Sequence, residues 1–123
     1  MQYALLVYET QESFDARKDD YMDKPLLAAW RAYHSALVEA GVYVAGDPLR
    51  PPETGTTVRI RNGERDIQDG PYANTKEQLA GFTIVELDSL DEAIEWASRC
   101  PAAAIGAIEV RPLAPDVKSR IVR

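Results

Sequence analysis

The sequence predicts an α+β fold in which a βαββαβ frame carries an extra β-hairpin at its middle. Three observations predict it. Apolar runs of strand length lie at 2–8, 42–45, 81–87 and 107–112. Two longer stretches between them repeat their apolar side chains at helical spacing. Asn62-Gly63 divides a pair of β-rich runs and is the strongest short hairpin signal available. At 123 residues the chain is read as one domain, 1–123, with a single core.

Gln2 to Tyr8 reads as the first strand, with Tyr3, Leu5 and Val7 on one side and Ala4, Leu6 and Tyr8 on the other. Glu9 to Asp23 is polar and acidic, a loop holding a short helical turn around Phe14 to Arg17. A helix follows, capped by Asp23, with Pro25 in its first turn and Gly41 at its end. Leu26, Trp30, Tyr33 and Leu37 form its buried stripe, and His34 sits on the shoulder. Val42 to Ala45 is a short strand closed by Gly46. Asp47 to Gly55 is a loop stiffened by three prolines. Thr56–Arg61 and Glu64–Gln68 make the hairpin, and Gly81–Leu87 the next strand.

The segment Ser89-Leu90-Asp91-Glu92 is a capping box. It starts a second helix with Leu90, Ala93, Ile94 and Ala97 inward and an exposed Glu95–Arg99 pair. Pro101 stops it. Ala107–Pro112 is the last strand, and the polar tail from Ala114 is expected to fray or to serve in contacts. With the hairpin set aside, the order is the ferredoxin-like βαββαβ pattern.

Two helices cover one face of a four-stranded sheet, yet three of these strands are apolar on both faces. Whichever register holds, Tyr3 or Leu6, Tyr43 or Val44, and Phe82 or Val85 must lie on the open face. Each represents roughly 1.5–3 kcal/mol of unburied apolar area. Such a patch predicts a homodimer closed through the open sheet face, with a pocket between that face and the flanking loops.

Bulk properties exclude several classes. A net charge of −6 with scattered Lys and Arg argues against nucleic-acid binding. No apolar run is long enough to span a bilayer, and Met1-Gln2-Tyr3 lacks a basic leader, so no membrane partner and a cytoplasmic location are expected. The single cysteine, Cys100, allows no internal disulfide and reads as an inert buried thiol. One histidine, one cysteine and no phosphate-cradling glycine loop leave a metal or nucleotide cofactor without visible ligands, so none is expected.

The stretch Asp69 to Leu79 holds a Gly-Pro turn, an aromatic ring and several polar groups in more residues than a connector needs. Asp69 is a candidate catalytic carboxylate there, with a turn-forming role as the plain alternative. Tyr72, Thr75, Lys76 and Glu77 are candidate pocket residues. Lys76 would serve an anionic substrate, Glu77 a proton acceptor, and Tyr72 a stacking surface. His34 is the side chain whose ordinary pKa lies near neutrality, hence the first candidate for acid–base work, with Asp47 as its orienting carboxylate.

Asp69-Gly70-Pro71-Tyr72 followed by Thr75-Lys76-Glu77-Gln78-Leu79-Ala80-Gly81-Phe82 resembles the YCII-related proteins and, within them, the DGPF-domain branch. Two further blocks extend the resemblance over most of the chain. One runs from Ala40-Gly41-Val42 through Gly46, with Leu49, Pro52 and Thr56-Thr57-Val58-Arg59. The other comprises Leu90-Asp91-Glu92-Ala93 to Trp96, Cys100-Pro101 and Ile108-Glu109-Val110-Arg111-Pro112. The resemblance implies a dimeric α+β barrel of bacterial origin, in agreement with the two-sided strands. It implies either a cofactor-free acid–base enzyme on a small molecule, or a non-catalytic metabolite-binding or regulatory module accompanying an extracytoplasmic-function sigma factor. Tyr72 stands where the branch has Phe. Family members proposed as enzymes carry a His near the position of Trp30; His34 lies a turn later and is a candidate on its own chemistry.

Overall fold

The structure, a computed structural model, describes residues 1–17 and 25–122. Its elements run β1 (Gln2–Thr10), α1 (Gln11–Ala16), α2 (Pro25–Glu39), β2 (Tyr43–Pro48), β3 (Thr56–Arg61), β4 (Glu64–Asp69), β5 (Glu77–Glu86), α3 (Leu90–Arg99), β6 (Ala107–Pro112) and α4 (Pro115–Ile121). Single 3₁₀ turns at Pro52–Thr54 and Pro101–Ala104 complete it. The main sheet has the order β2-β5-β1-β6, each neighbour antiparallel. The β3-β4 hairpin is a separate two-stranded sheet.

Alternation along β1 sets the two faces of the sheet. Tyr3, Leu5 and Val7 are buried, and they form one core with Val85 of β5, Tyr33 and Leu37 of α2, and Ala93 and Ala97 of α3. Leu6 pairs with Phe82, and Ala4 with Ile84, on the opposite face. Tyr43 pairs with Val85 and so belongs to the helix side. The two-faced strands therefore resolve into one face under helices and a second, half-buried apolar one.

Local signals act where the sequence places them. Gly41 has φ +74°, and its N–H donates to the Val38 carbonyl while that of Val42 donates to Leu37. This is a Schellman close, and it needs a residue free to turn left-handed. Asn62 (φ 52°) and Gly63 (φ 77°) make the hairpin turn with two positive φ angles, as a two-residue loop matching strand twist requires. Ser89 Oγ accepts from the Glu92 N–H at 3.2 Å, and Glu92 reaches back to the N–H of Asp88 at 3.0 Å. The proposed Asp23 cap lies outside the described residues.

Five expectations need correction. The first strand runs on to Thr10 and the helix after it begins at Gln11, so Glu9 is a strand residue rather than part of a loop. The second strand does not close at Gly46 but continues to Pro48, which an edge strand tolerates. Leu90 and Ile94 are about half exposed, at 51% and 49%. Ala93 and Ala97 do lie inward, and Trp96 and Cys100 join them in place of Leu90 and Ile94, because alanines let the helix approach while Trp96 and Tyr33 fill the adjoining volume. Arg99 does not pair with Glu95; its guanidinium lies 4.2 Å over the Trp96 ring. Finally, the tail from Pro115 is helical, with every side chain of α4 exposed.

Tyr33 donates its hydroxyl to the Trp96 carbonyl at 2.8 Å, which ties α2 to α3 beneath the sheet. Burial pushes the Cys100 thiol up to about 11, so it stays protonated at neutral pH. The polar side of the hairpin makes two contacts, Thr57 donating to the Gly70 carbonyl and the Arg59 guanidinium lying 5.1 Å from the Tyr72 ring centroid. Its apolar side, Val58, Ile60 and Ile67, is exposed. No helix among the described residues is long and apolar enough to cross a membrane.

Candidate functional site

A cavity of about 950 Å³ lies on the helix side of the sheet, between α2 and the strands β1, β5 and β2. The sequence reading expected a pocket on the open face; the larger hollow forms where α2 stands away from the sheet. Val7, Phe14, Leu27 and Trp30 supply apolar wall. Glu9, Arg17, Arg31, His34 and Arg50 supply ionisable groups, and Asp47 borders it from β2.

The floor is made by a short reversal of chain. Thr10 caps α1, its Oγ1 accepting from the Ser13 N–H at 3.3 Å. The six-residue helix brings Arg17 back over β1, where it forms an ion pair with Glu9. Glu9 is only 3% exposed, the fourth inward residue in the alternation that begins at Tyr3. Arg17 also donates to the Leu49 carbonyl at 2.8 Å and lies 4.9 Å from the Phe14 ring centroid. A register shift between Val7 and Tyr8 leaves Ala80 unpaired with β1, and its carbonyl accepts from the Leu49 N–H at 2.8 Å. The segment after β2 is thus pinned from two sides.

His34 borders the cavity from α2, edge-on to Tyr43 with ring centroids 4.7 Å apart and planes at 77°. Among the described residues neither ring nitrogen is hydrogen-bonded, so both are available to a ligand. Asp47 also borders this cavity, but no hydrogen bond or ion pair joins it to His34. The register explains why: Asp47 sits opposite Phe82, which in turn sits opposite Leu6 on the other face. The carboxylate the imidazole was expected to find is directed by strand alternation to the far side of β2.

The Gly-Pro loop borders a second, smaller hollow of about 490 Å³, to which Tyr72 and Thr75 contribute together with Tyr8 and Leu79. Much of the loop's polarity is spent on itself. Thr75 donates to the Glu77 carbonyl at 2.6 Å, and Gln78 Nε2 donates to the carbonyls of Ala73 and Thr75. The corner at Gly70 (φ 108°) is held by its own backbone, through its N–H to Gly55 O at 2.8 Å. Asp69 ends β4 opposite Thr56, and its carboxylate accepts no hydrogen bond among the described residues. Asp69, Lys76 and Glu77 border neither hollow. On the second sheet face Tyr8 donates to Glu109 at 3.1 Å; burial first, and that carboxylate next, raise its phenol above the ordinary value.

Of the predicted residues, then, the structure brings His34 and Asp47 to one cavity and Tyr72 and Thr75 to another. Sequence reasoning missed Glu9, Arg17, Arg31 and Arg50. Glu9 was detectable, since the period-2 pattern of β1 continues onto it. Arg17 was not, because only the turn-back of α1 makes it a neighbour of Glu9. Among the described residues no three His, Cys, Asp or Glu side chains gather where a metal ion could be held.

Comparison with known proteins adds three findings. The model of the YCII-related domain matches residues 1–115. The uncharacterized protein R00369 of Rhizobium meliloti (strain 1021) is 38% identical over 119 residues, covering 93% of each chain. The fold is similar to that of 5-chloro-2-hydroxyhydroquinone dehydrochlorinase (TftG) from Burkholderia phenoliruptrix AC1100, solved with 2,5-dihydroxybenzoquinone. That likeness has a TM-score of 0.51 at 21% identity and covers 93% of this chain and 94% of the other.

Proposed function

The chain belongs to the YCII-related family, and from that premise we propose that it is a small-molecule enzyme working by proton transfer in the cavity beside α2. His34 is its acid–base group. The observation that carries this reading is an imidazole with both nitrogens unengaged at the wall of a cavity of about 950 Å³, a volume within the range of small-molecule sites. Tyr43 steadies the ring from the edge, and the Glu9–Arg17 pair keeps the floor neutral. A neutral imidazole takes a proton from a bound C–H or O–H and returns it in a later step, chemistry that needs no group beyond the side chain itself.

The test compares wild type with His34→Gln on hydroxylated and halogenated ring compounds, with 5-chloro-2-hydroxyhydroquinone as first probe and chloride release as readout. Wild type is expected to turn over, and the variant to lose about a hundredfold or more in kcat with ligand affinity kept. An undiminished rate in the variant removes His34 from the chemistry. Ligand binding without turnover across the set would favour the non-catalytic, metabolite-binding reading.

The same reading includes a homodimer closed over the second sheet face. Leu6, Phe82 and Ile84 on that face, with Val58, Ile60 and Ile67 on the hairpin, support it as apolar surface that water does not favour. Sedimentation at micromolar concentration is expected to give twice the chain mass; a strict monomer rejects it.

A further inference from the structure

We infer that the cavity takes a small organic monoanion, its apolar body against Phe14, Leu27 and Trp30 and its carboxylate held by Arg31 and Arg50. The inference rests on the cavity named in the proposed function, and not on any turnover by His34.

Charge is the first argument. The chain carries a net −6, yet among the described residues three arginines border this one hollow against two carboxylates. Arg17 is already committed to Glu9 and to the Leu49 carbonyl. Asp47 is turned to the other side of β2 by the register, opposite Phe82. Arg31 and Arg50 are left with no hydrogen bond or ion pair among the described residues. A rim with two unengaged guanidiniums around apolar walls selects for a negative group at one end of a greasy ligand.

Position is the second argument. Arg31 and His34 are three residues apart on α2 and so project from the same side of the helix. An anion held at Arg31 therefore presents its body beside the imidazole. Arg50 comes from the opposite wall, directly after Leu49, whose N–H and carbonyl are both engaged, by Ala80 and Arg17. That anchoring holds the backbone of the second arginine in place before a ligand arrives, which lowers the ordering cost of binding. Burial of the ligand body beside Trp30 strengthens the charge-assisted bonds by excluding water.

The test is titration calorimetry of the full chain with benzoate and with its neutral isostere benzamide, in wild type and in Arg31→Gln and Arg50→Gln. Benzoate is expected to bind about tenfold or more tighter than benzamide, the margin a charge-assisted hydrogen bond supplies. Both glutamine variants are expected to erase that preference while still binding the two probes alike, and added salt to weaken benzoate alone. Equal affinity for the two probes, no binding of benzoate at millimolar concentration, or an unchanged preference in either variant overturns the inference. Because no step of this experiment involves turnover, benzoate selectivity together with an undiminished rate in His34→Gln keeps the anion site and sinks only the proton-transfer reading.

Discussion

Phe14→Ala is expected to cost about 3–5 kcal/mol of folding stability, the range for truncating a fully buried aromatic ring. Phe14 is 0% exposed and is the buried residue of α1. A helix of six residues has no independent stability, since nucleation alone outweighs so few hydrogen bonds. What keeps α1 folded is that one ring in the core. Losing it leaves a void and also frees the segment that carries Arg17, whose guanidinium rests over the same ring. Urea denaturation monitored by far-ultraviolet dichroism checks the value, with Phe14→Leu expected to lose far less because most of the volume is kept. A loss under 1 kcal/mol for the alanine variant would show that α1 is peripheral.

Arg17→Ala is expected to cost about 3 kcal/mol by a different route. Glu9 lies in the wall of the cavity at 3% exposure, and Arg17 is its ion-pair partner. Removing one member of a buried pair leaves the other as an uncompensated charge, and that is costlier than never having had the pair. Arg17 keeps a fifth of its side chain in solvent, which places the cost at the lower end of the range for buried pairs. The variant also leaves the Leu49 carbonyl without its donor. Replacing both partners, Glu9→Gln with Arg17→Met, is expected to restore most of the loss, because neither change then strands a charge. The two single variants and the double variant form a cycle whose coupling energy is read from urea midpoints. A single-variant loss below 1 kcal/mol, the level of a surface ion pair, would mean that water reaches the pair.

Much of the architecture follows from short-range rules, and for that reason it was legible. The last strand spans Ala107–Pro112 as its pattern predicts, and Asn62-Gly63 turns the hairpin. Gly41 closes α2, and Ser89 caps α3. Each outcome depends on residues within a turn or two: a left-handed φ that glycine adopts without penalty, or a hydroxyl that reaches an orphan N–H. The misread boundaries were strand ends at Glu9, Asp47 and Glu77, where polar residues looked like loop; the strand expected over Gly81–Leu87 begins at Glu77 and ends at Glu86. At Glu9 the pairing with β5 continued and Arg17 neutralised the charge.

The candidate site was legible only in its residue types. His34 was singled out for its chemistry, but its place beside Tyr43 and its separation from Asp47 are products of register and helix packing. The Gly-Pro stretch looked like the centre of function because it is rich in polar groups. The fold turns several of those groups onto the loop's own carbonyls and puts the larger cavity elsewhere.

By itself, the order of residues determined which segments become strands and helices and where most of them stop, since propensity, capping and turn chemistry work through near neighbours. Only the tertiary structure decided which side of the sheet α2 and α3 cover, that Trp96 and not Leu90 or Ile94 lies inward on α3, and that Glu9 meets Arg17 at the cavity that His34 also borders. Strands greasy on both faces permit either choice. The selection is made by packing and charge pairing between parts of the chain that are distant in sequence, and no local pattern encodes it.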